Sequence, residues 1–237
     1  MKNLVIFIVF LVVSFKVVAQ QSAIVSYKTQ LLSYPIDTTK VTNKKVLDMM
    51  KNEVKAVKKG LNFLDFKLKF NKNNSVFFAE IPLQRDNGIN LNNVVLFLDS
   101  DGIYYKDDEV SVKQVDFNSQ TFNIEQPTNF KWKIHAEENN ILGYKVIKAT
   151  TQKKLHNGDF LDVVAWFAPE LPFQYGVKEY NGLPGVILLL KEDSIEYKAI
   201  NIVFKNKLQI EKLQMKSTIS QEKFDNIVKN YYGKNEK

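Results

Sequence analysis

The sequence contains no cysteine, which excludes disulfide bonds, zinc sites built on thiolates and cysteine nucleophiles. It has only two histidines, His135 in a strand-like segment and His156 in a turn-like segment. Each lies where a solvated histidine is ordinary, and neither is accompanied by a metal-binding or Ser/His/Asp pattern. No nucleophile elbow, phosphate loop or nucleotide fingerprint occurs elsewhere. We therefore predict no catalytic residue, no cofactor and no stoichiometric zinc or calcium.

Arginine is nearly absent as well. The 33 basic residues include one arginine, Arg85, so the other 32 are lysines. Proteins that read nucleic acids depend on arginine for bidentate contacts with bases and phosphates, and these lysines are spread along the chain rather than clustered. We interpret the excess of 33 basic over 26 acidic residues as a solvated surface, and we expect no nucleic-acid partner.

Long hydrophobic runs are missing except at the N-terminus. Residues 4–15 are almost entirely apolar, follow a lysine, and precede small residues just before Gln20. This pattern is typical of a secretory signal peptide over residues 1–19, and the run is too short to span a bilayer. Because Lys16 interrupts the usual order of such signals, a retained N-terminal anchor is the alternative. We expect an exported protein without a transmembrane segment after cleavage, located in the periplasm, at the outer membrane or outside the cell.

Most of the remaining sequence alternates apolar and polar residues at the period of β-strands. Residues 64–70 are the clearest case, and an asparagine-rich turn and a second strand follow them. Two segments have helical spacing instead, one from Thr42 to Lys59 and a short one from Ser220 to Tyr231. We predict a single, mainly antiparallel β domain (α+β) over residues 20–237. Its core is one large curved, half-barrel-like sheet, with one helix in the N-terminal half and one at the C-terminus.

The first predicted helix has recognisable ends. Thr42 is suited to cap its N-terminus, and Gly60 follows a lysine-rich last turn, as a left-handed C-terminal glycine would. Apolar residues recur along one face at positions 46, 49, 50, 54 and 57. The lysines of the other face are ordinary for a solvated surface, and a helix lying on a membrane surface is the alternative.

The sequence from Asp99 to Gly102 resembles the beginning of a calcium-binding loop. No glutamate closes it at the required spacing, and a strand-like segment follows at once. We therefore predict a hairpin turn here and not a metal site.

A long loop rich in aromatic residues, proline and glycine occupies residues 168–185. It ends with Leu183, Pro184 and Gly185, and a Pro-Gly pair is suited to a type II turn. The apolar run 186–190 that follows predicts a strand buried on both faces. Long loops without secondary structure are uncommon and often functional.

The loop and its surroundings resemble the GLPGLI family of secreted bacterial proteins. The resemblance rests on NGLPGVIL at 181–188, ILGYK at 141–145, KAT at 148–150 and AWFAPELP at 165–172. It covers most of residues 130–204 and is weak before residue 130. Three mild departures from the family pattern occur at Val146, Val177 and Val186. The resemblance implies no established activity. A related domain occurs at the N-terminus of some secreted glycan-cleaving amidases, which implies a carbohydrate or cell-surface setting.

We expect Leu183, Pro184 and Gly185 to form a structural turn, with Gly185 at positive φ and Leu183 buried. The candidate binding residues are aromatic side chains of the loop and the preceding strand: Trp166, Phe173, Tyr175 and Tyr180. Aromatic side chains offer a large contact area at a low cost in entropy. The alternative is that the loop aromatics belong to the core.

The sequence favours a non-catalytic binding or accessory module of the cell envelope, monomeric, with an apolar, glycan or protein partner; a lipid is included in the apolar class. A structural envelope protein with its loop packed inward is one alternative. The other is a hydrolase, or a hydrolase accessory, acting on envelope glycans. Such a hydrolase would need a pair of carboxylates, for which Asp159 with Asp162 and Glu170 with Glu179 are candidates.

The export signal predicts a defined mature N-terminus. Protein recovered outside the cytoplasm should begin at Gln20 on N-terminal sequencing, because the small residues before it fit the peptidase site. Recovery of the intact N-terminal methionine there would contradict this prediction.

Overall fold

The computed structural model describes residues 22–33, 41–83, 88–155, 158–213, 215 and 217–235. The predicted signal peptide and His156 lie outside these residues. The strands are β1 (Ser22–Leu31), β2 (Asp65–Asn71), β3 (Ser75–Glu80), β4 (Ile103–Lys106), β5 (Ser111–Phe117), β6 (Gln120–Glu125), β7 (Lys133–Ile141), β8 (Tyr144–Lys154), β9 (Phe160–Ala168), β10 (Val186–Glu192) and β11 (Ile195–Lys205). The α-helices are α1 (Lys44–Gly60), α2 (Leu91–Phe97) and α3 (Gln221–Asn235), and a 3-10 turn, Leu61–Phe63, follows α1.

Within the described ranges, the strands form one sheet of eleven, in the order β6-β5-β4-β3-β2-β1-β11-β10-β9-β8-β7. All neighbouring strands are antiparallel. Within each half of the sheet, strands that follow one another in sequence are neighbours, and the pairing of β1 with β11 joins the two halves. The predicted fold class is confirmed: one open, curved antiparallel sheet with a helix in the N-terminal half and a short C-terminal helix. None of the helices in the described ranges is long and apolar enough to cross a bilayer.

The two ends of the sheet differ in how they are protected. Phe117 and Phe122 of the β5–β6 hairpin make edge-to-face contacts with Phe224 of α3. Ile219 bridges to β6, since it donates to Asn123 O at 2.9 Å and accepts from Glu125 N at 2.9 Å. β7, at the other end, is mostly exposed and carries acidic and amide side chains, which discourage the addition of another strand. The strand-like segment around His135 is therefore a strand, β7, which begins at Lys133 and forms an exposed edge of the sheet.

Helix α1 is anchored at its C-terminal half. Asn43 caps the helix, since its Oδ1 accepts from Lys45 N at 3.0 Å, so the prediction of Thr42 as the cap is wrong by one residue. Val54 and Val57 are buried, whereas Met49 is 63% exposed. The predicted apolar stripe is thus only partly covered.

Gly60 is helical, with φ −64° and ψ −33°, so the prediction of a left-handed C-terminal glycine is wrong. The position requires glycine for a different reason, namely the close approach of α2. A Cβ at Gly60 would lie 2.5 Å from Val94 Cγ2. Real Cβ atoms do not come so close to a carbon, and a branched valine in a packed core has little room to move.

The two helical glycines should respond in opposite ways to alanine. Gly60→Ala should lower the free energy of unfolding by about 1–3 kcal/mol, because the new methyl group overpacks the contact with Val94. Gly233→Ala should be neutral or stabilising by up to about 1 kcal/mol, because nothing lies within 4 Å of its Cβ and alanine is the better helix former.

Urea unfolding of both variants and the wild type measures this difference. Equal stability of the two variants would show that the contact between α1 and α2 is not tight.

Candidate functional site

The aromatic loop, residues 168–185, fills the inside of the curved sheet. The ring of Phe173 lies 4.8 Å from that of Phe70, centroid to centroid, and the ring of Tyr180 lies 4.9 Å from that of Phe130. Tyr180 is completely buried and Tyr175 is 8% exposed. The expectation that Tyr175 and Tyr180 form an exposed surface is therefore wrong, and the alternative of a core loop describes them. They pack inward because the buried strands need an apolar cover on this face.

The turn that ends the loop is not of type II. Gly185 N donates to Leu183 O at 2.8 Å, which is the three-residue bond of a γ-turn around Pro184. The φ of Gly185 is 159°, close to the extended region. Glycine is required here by proximity, because a Cβ would lie 2.2 Å from Ala168 O. Leu183 is buried, and the structural role of these three residues stays a prediction.

A buried ion pair connects the tip of the loop to the far end of β10. Lys178 has a φ of 54°, an uncommon conformation for a residue with a side chain. Its Nζ lies 2.8 Å from Glu192 Oε2, and the two side chains are only 2% and 7% exposed. Tyr180 Oη donates to Glu192 Oε1 at 2.7 Å. The carboxylate thus has a charged partner on one oxygen and a hydroxyl on the other.

Lys153 of β8 extends this network towards the surface. Its Nζ lies 2.6 Å from Glu179 Oε1 and 3.3 Å from Glu192 Oε1. The contact with Glu179 is an ion pair without hydrogen-bond geometry, and neither oxygen of Glu179 accepts a hydrogen bond from the described residues. Lys178 Nζ also lies 3.7 Å from Asp99 Oδ2. The network therefore connects the loop to β8, β10 and the turn after α2.

Glu192 and Lys178 remain ionised at neutral pH. Burial alone would raise the pKa of Glu192, but Lys178 and Lys153 outweigh it and hold that pKa at about 2. Burial acts in the opposite direction on Lys178, and Glu192 leads the groups that raise its pKa well above the usual value. A lysine that stays protonated is no nucleophile. The pair therefore holds the loop against β10, and Lys178 does not act as a nucleophile.

In the turn that resembled a calcium loop, two carboxylates are paired with a lysine. Lys113 Nζ of β5 lies 2.6 Å from Asp99 Oδ1 and 2.7 Å from Asp101 Oδ1. The described part of the chain contains no cluster of three acidic or histidine residues that could bind a metal ion. The segment connects α2 to β4, so the prediction of a hairpin turn is wrong in its topology.

An open groove of about 1200 Å³ lies between the two halves of the sheet. Lys113 of β5 and Glu125 of β6 line one side, and residues 150–154 of β8 line the other. β7 pairs with β8 only as far as Thr150, so β8 continues past its neighbour and leaves an edge at this opening. Asp99, Lys113 and Lys153 line the groove and belong to the ion pairs described above.

Exposed side chains on the β8–β9 hairpin shape one wall of the groove. Phe160 is 63% exposed and pairs across the hairpin with Lys154. Gln152 Nε2 donates to Asp162 Oδ1 at 2.9 Å, and this pair lies two positions further along the two strands, on the same face. Paired residues of antiparallel strands lie on the same face, so an aromatic ring, an ammonium group and an amide are presented together.

The predicted binding residues do not line this groove. Trp166 is half-buried in the middle of β9, opposite Lys148 and Leu189. Sequence reasoning missed Phe160 and the lysines at positions 131, 133 and 154. The one feature of the sequence that could have indicated this site is Phe160, an aromatic residue at the polar end of a hairpin.

The predicted histidine and carboxylate residues are placed as follows. His135 Nε2 lies 2.8 Å from Thr150 Oγ1. Glu179 is buried and Glu170 exposed, and neither lines the groove.

The fold and the groove define a domain-sized β module with a filled interior and an external cleft. A family model described as "Protein of unknown function (Porph_ging)" matches residues 154–189, which confirms the resemblance to the GLPGLI-type family over β9, the loop and most of β10. No curated protein matches this chain in sequence.

Two solved structures of PNGF-II are similar to this chain. The one in space group C2 has 13% identity and a TM-score of 0.49 over 80% of this chain and 28% of that chain. The one in space group P21 has 11% identity and a TM-score of 0.51 over 87% of this chain and 33% of that chain. The second comparison shows a common fold. This chain spans about a third of the PNGF-II chain, and at this identity nothing beyond the fold follows.

Glu192→Gln tests the buried network. The substitution should lower the free energy of unfolding by about 3–5 kcal/mol at pH 7, because it leaves the buried Lys178 and the half-buried Lys153 without their shared counter-ion. A folded-state pKa of about 2, below the usual 4.5, makes the contribution of Glu192 complete above pH 4.5. It is lost as the pH falls towards 2. The stability difference between wild type and variant should therefore shrink over this range.

Urea unfolding at a series of pH values measures the difference. The matched control is Glu137→Gln, because Glu137 pairs with Lys148 at the surface and should change stability by less than about 1 kcal/mol. A wild-type advantage that stays constant from pH 7 to pH 2 would refute the ionised pair.

Proposed function

We propose that the protein is a non-catalytic binding module of the cell envelope or the extracellular space, and that it holds a glycan ligand in the groove between β6 and β8. The observation that carries the proposal is the groove itself, whose volume of about 1200 Å³ is large enough for several sugar units. The interior of the sheet is filled by the loop, so the groove is the surface available for a ligand of this size.

The groove chemistry suits a sugar. Sugar rings have apolar C–H faces that pack on aromatic rings, and their hydroxyl groups need donors and acceptors. Phe160 supplies an exposed aromatic face. Gln126, Asn129 and Gln152 line the groove with amide groups, each of which both donates and accepts. An aromatic platform with surrounding amides binds such a ligand without any reacting group.

The carboxylates of the groove do not favour a hydrolase. A glycosidase needs one carboxyl group with a raised pKa to act as the acid. Partial burial would raise the pKa of Asp99, but Lys178 and Lys113 outweigh it and lower that pKa. Asp162 accepts from Gln152 at 2.9 Å and Glu125 accepts from Thr218 at 2.6 Å. Each of the three carboxylates that line the described groove thus already has an ion-pair or hydrogen-bond partner within the protein.

Export is part of the proposal. The N-terminal pattern of a signal peptide supports a location outside the cytoplasm, where envelope glycans are accessible. The similarity of the fold to a third of PNGF-II supports a module that can also occur within a longer protein.

Phe160→Ala tests the groove as the binding site. The wild-type protein should bind members of an immobilised panel of neutral and acidic oligosaccharides. The variant should bind them about tenfold more weakly, because the stacking surface is lost. Its melting temperature should stay within a few degrees of the wild type, since the ring is 63% exposed.

Leu83→Ala is the matched control, since Leu83 is 97% exposed and does not line the groove. Its binding should equal that of the wild type. Failure of the wild type to bind any member of the panel would sink the proposal, as would equal binding by Phe160→Ala.

A further inference from the structure

The geometry points to an acidic polysaccharide, one that carries carboxylate groups on its sugar units, as the ligand of the groove. This inference rests on the proposed function and names the class of glycan. Its basis is the distribution of charge among the groove residues, which differs between the inner part and the rim.

The inner lysines are neutralised by the protein itself. Lys113 lies between Asp99 and Asp101, and Lys153 contacts Glu179 and Glu192, all within 3.3 Å. These two ammonium groups are therefore satisfied without a ligand. They stabilise the walls of the groove. Lys113 with its two aspartates carries one net negative charge, and Lys153 and Lys178 together balance Glu179 and Glu192.

The outer lysines are not neutralised. Lys131, Lys133 and Lys154 line the groove and are exposed. Over the described residues, no carboxylate lies within 4.0 Å of their ammonium groups, in contrast to the paired lysines at the surface of β8, Lys145 and Lys148. Three unpaired cations that face one cleft form a site for an anion.

The remaining acidic groups of the groove do not cancel this charge. The groove is lined by five lysines and three carboxylates. Of the carboxylates, Asp99 is paired, and Glu125 and Asp162 are each engaged by a neutral donor. Apart from the inner ion pairs, three unpaired lysines stand against these two unpaired carboxylates, so the rim by itself has one net positive charge, located at its lysines.

The spacing of the cations fits a chain and not a single small anion. Lys133 stands opposite Thr150 in the β7–β8 pair, and Lys154 lies four residues further along β8, which corresponds to about 13 Å. Phe160 stands opposite Lys154. A ligand that meets Lys133 and Lys154 together must be extended, with acidic groups at both ends of the span and an apolar face beside the one at Lys154. An acidic polysaccharide meets these requirements.

Oligogalacturonate and its fully methyl-esterified form are the matched probes, because they share one backbone and differ in charge. The wild-type protein should bind the acid form at least tenfold more tightly in isothermal titration calorimetry at low salt, and the preference should fall as the salt concentration rises. Lys133→Gln and Lys154→Gln should each weaken binding of the acid form several-fold and leave binding of the ester unchanged. Lys72→Gln, the same change in a turn outside the groove, should have no effect.

Poly-glutamate serves as a second probe that carries the charge without the sugar. Equal binding of poly-glutamate and oligogalacturonate would overturn the inference in favour of a general polyanion or peptide site. Equal binding of the acid and ester forms would overturn the inference and leave the glycan-binding proposal standing. Absence of binding to the acid form, the ester and every member of the oligosaccharide panel would overturn both.

Discussion

The buried pair of Lys178 and Glu192 is the constraint on which the arrangement of the interior depends. The loop leaves the sheet at the end of β9 and returns at the start of β10, yet its tip reaches Glu192 at the opposite end of β10. β10 spans about 20 Å, so the loop lies along the strand for its whole length. Tyr175 O, which accepts from Ile187 N at 3.1 Å, holds the part between.

A buried ion pair contributes more to specificity than to stability. Taking both charges out of water costs several kcal/mol, which their attraction only offsets when the geometry is good. A misplaced loop would leave Lys178 and Glu192 buried without partners. The pair therefore selects one placement of the loop among the many apolar packings that the surrounding aromatic rings would allow. It also explains why Lys178 tolerates a left-handed backbone conformation.

The loop fills the inside of the sheet, and the ligand site that we propose therefore lies outside it, in the groove. Lys153 belongs both to the buried network and to the groove, so the groove wall rests on the same network that places the loop. The loop is conspicuous in the sequence because of its aromatic residues, but these residues pack in the core. The residues that we propose for recognition are a less conspicuous set, Phe160 and three lysines without a carboxylate partner among the described residues.

From the sequence alone we could predict the antiparallel β class, the helices at 44–60 and 221–235 and the position of the long loop, but not the helix at 91–97. The alternation in β2 places Phe66, Leu68 and Phe70 inside, because side chains of a strand point to opposite faces in turn. Such a pattern indicates that one face of the strand is covered, but it does not identify the segment that covers it. The direction of the loop aromatics, the glycine requirement at Gly60 and the pairing of Lys178 with Glu192 each depend on a segment distant in the chain. These features therefore become visible only in the folded protein. The same holds for the groove, because its wall residues come from β5 to β9 and meet only when the curved sheet brings its two halves together.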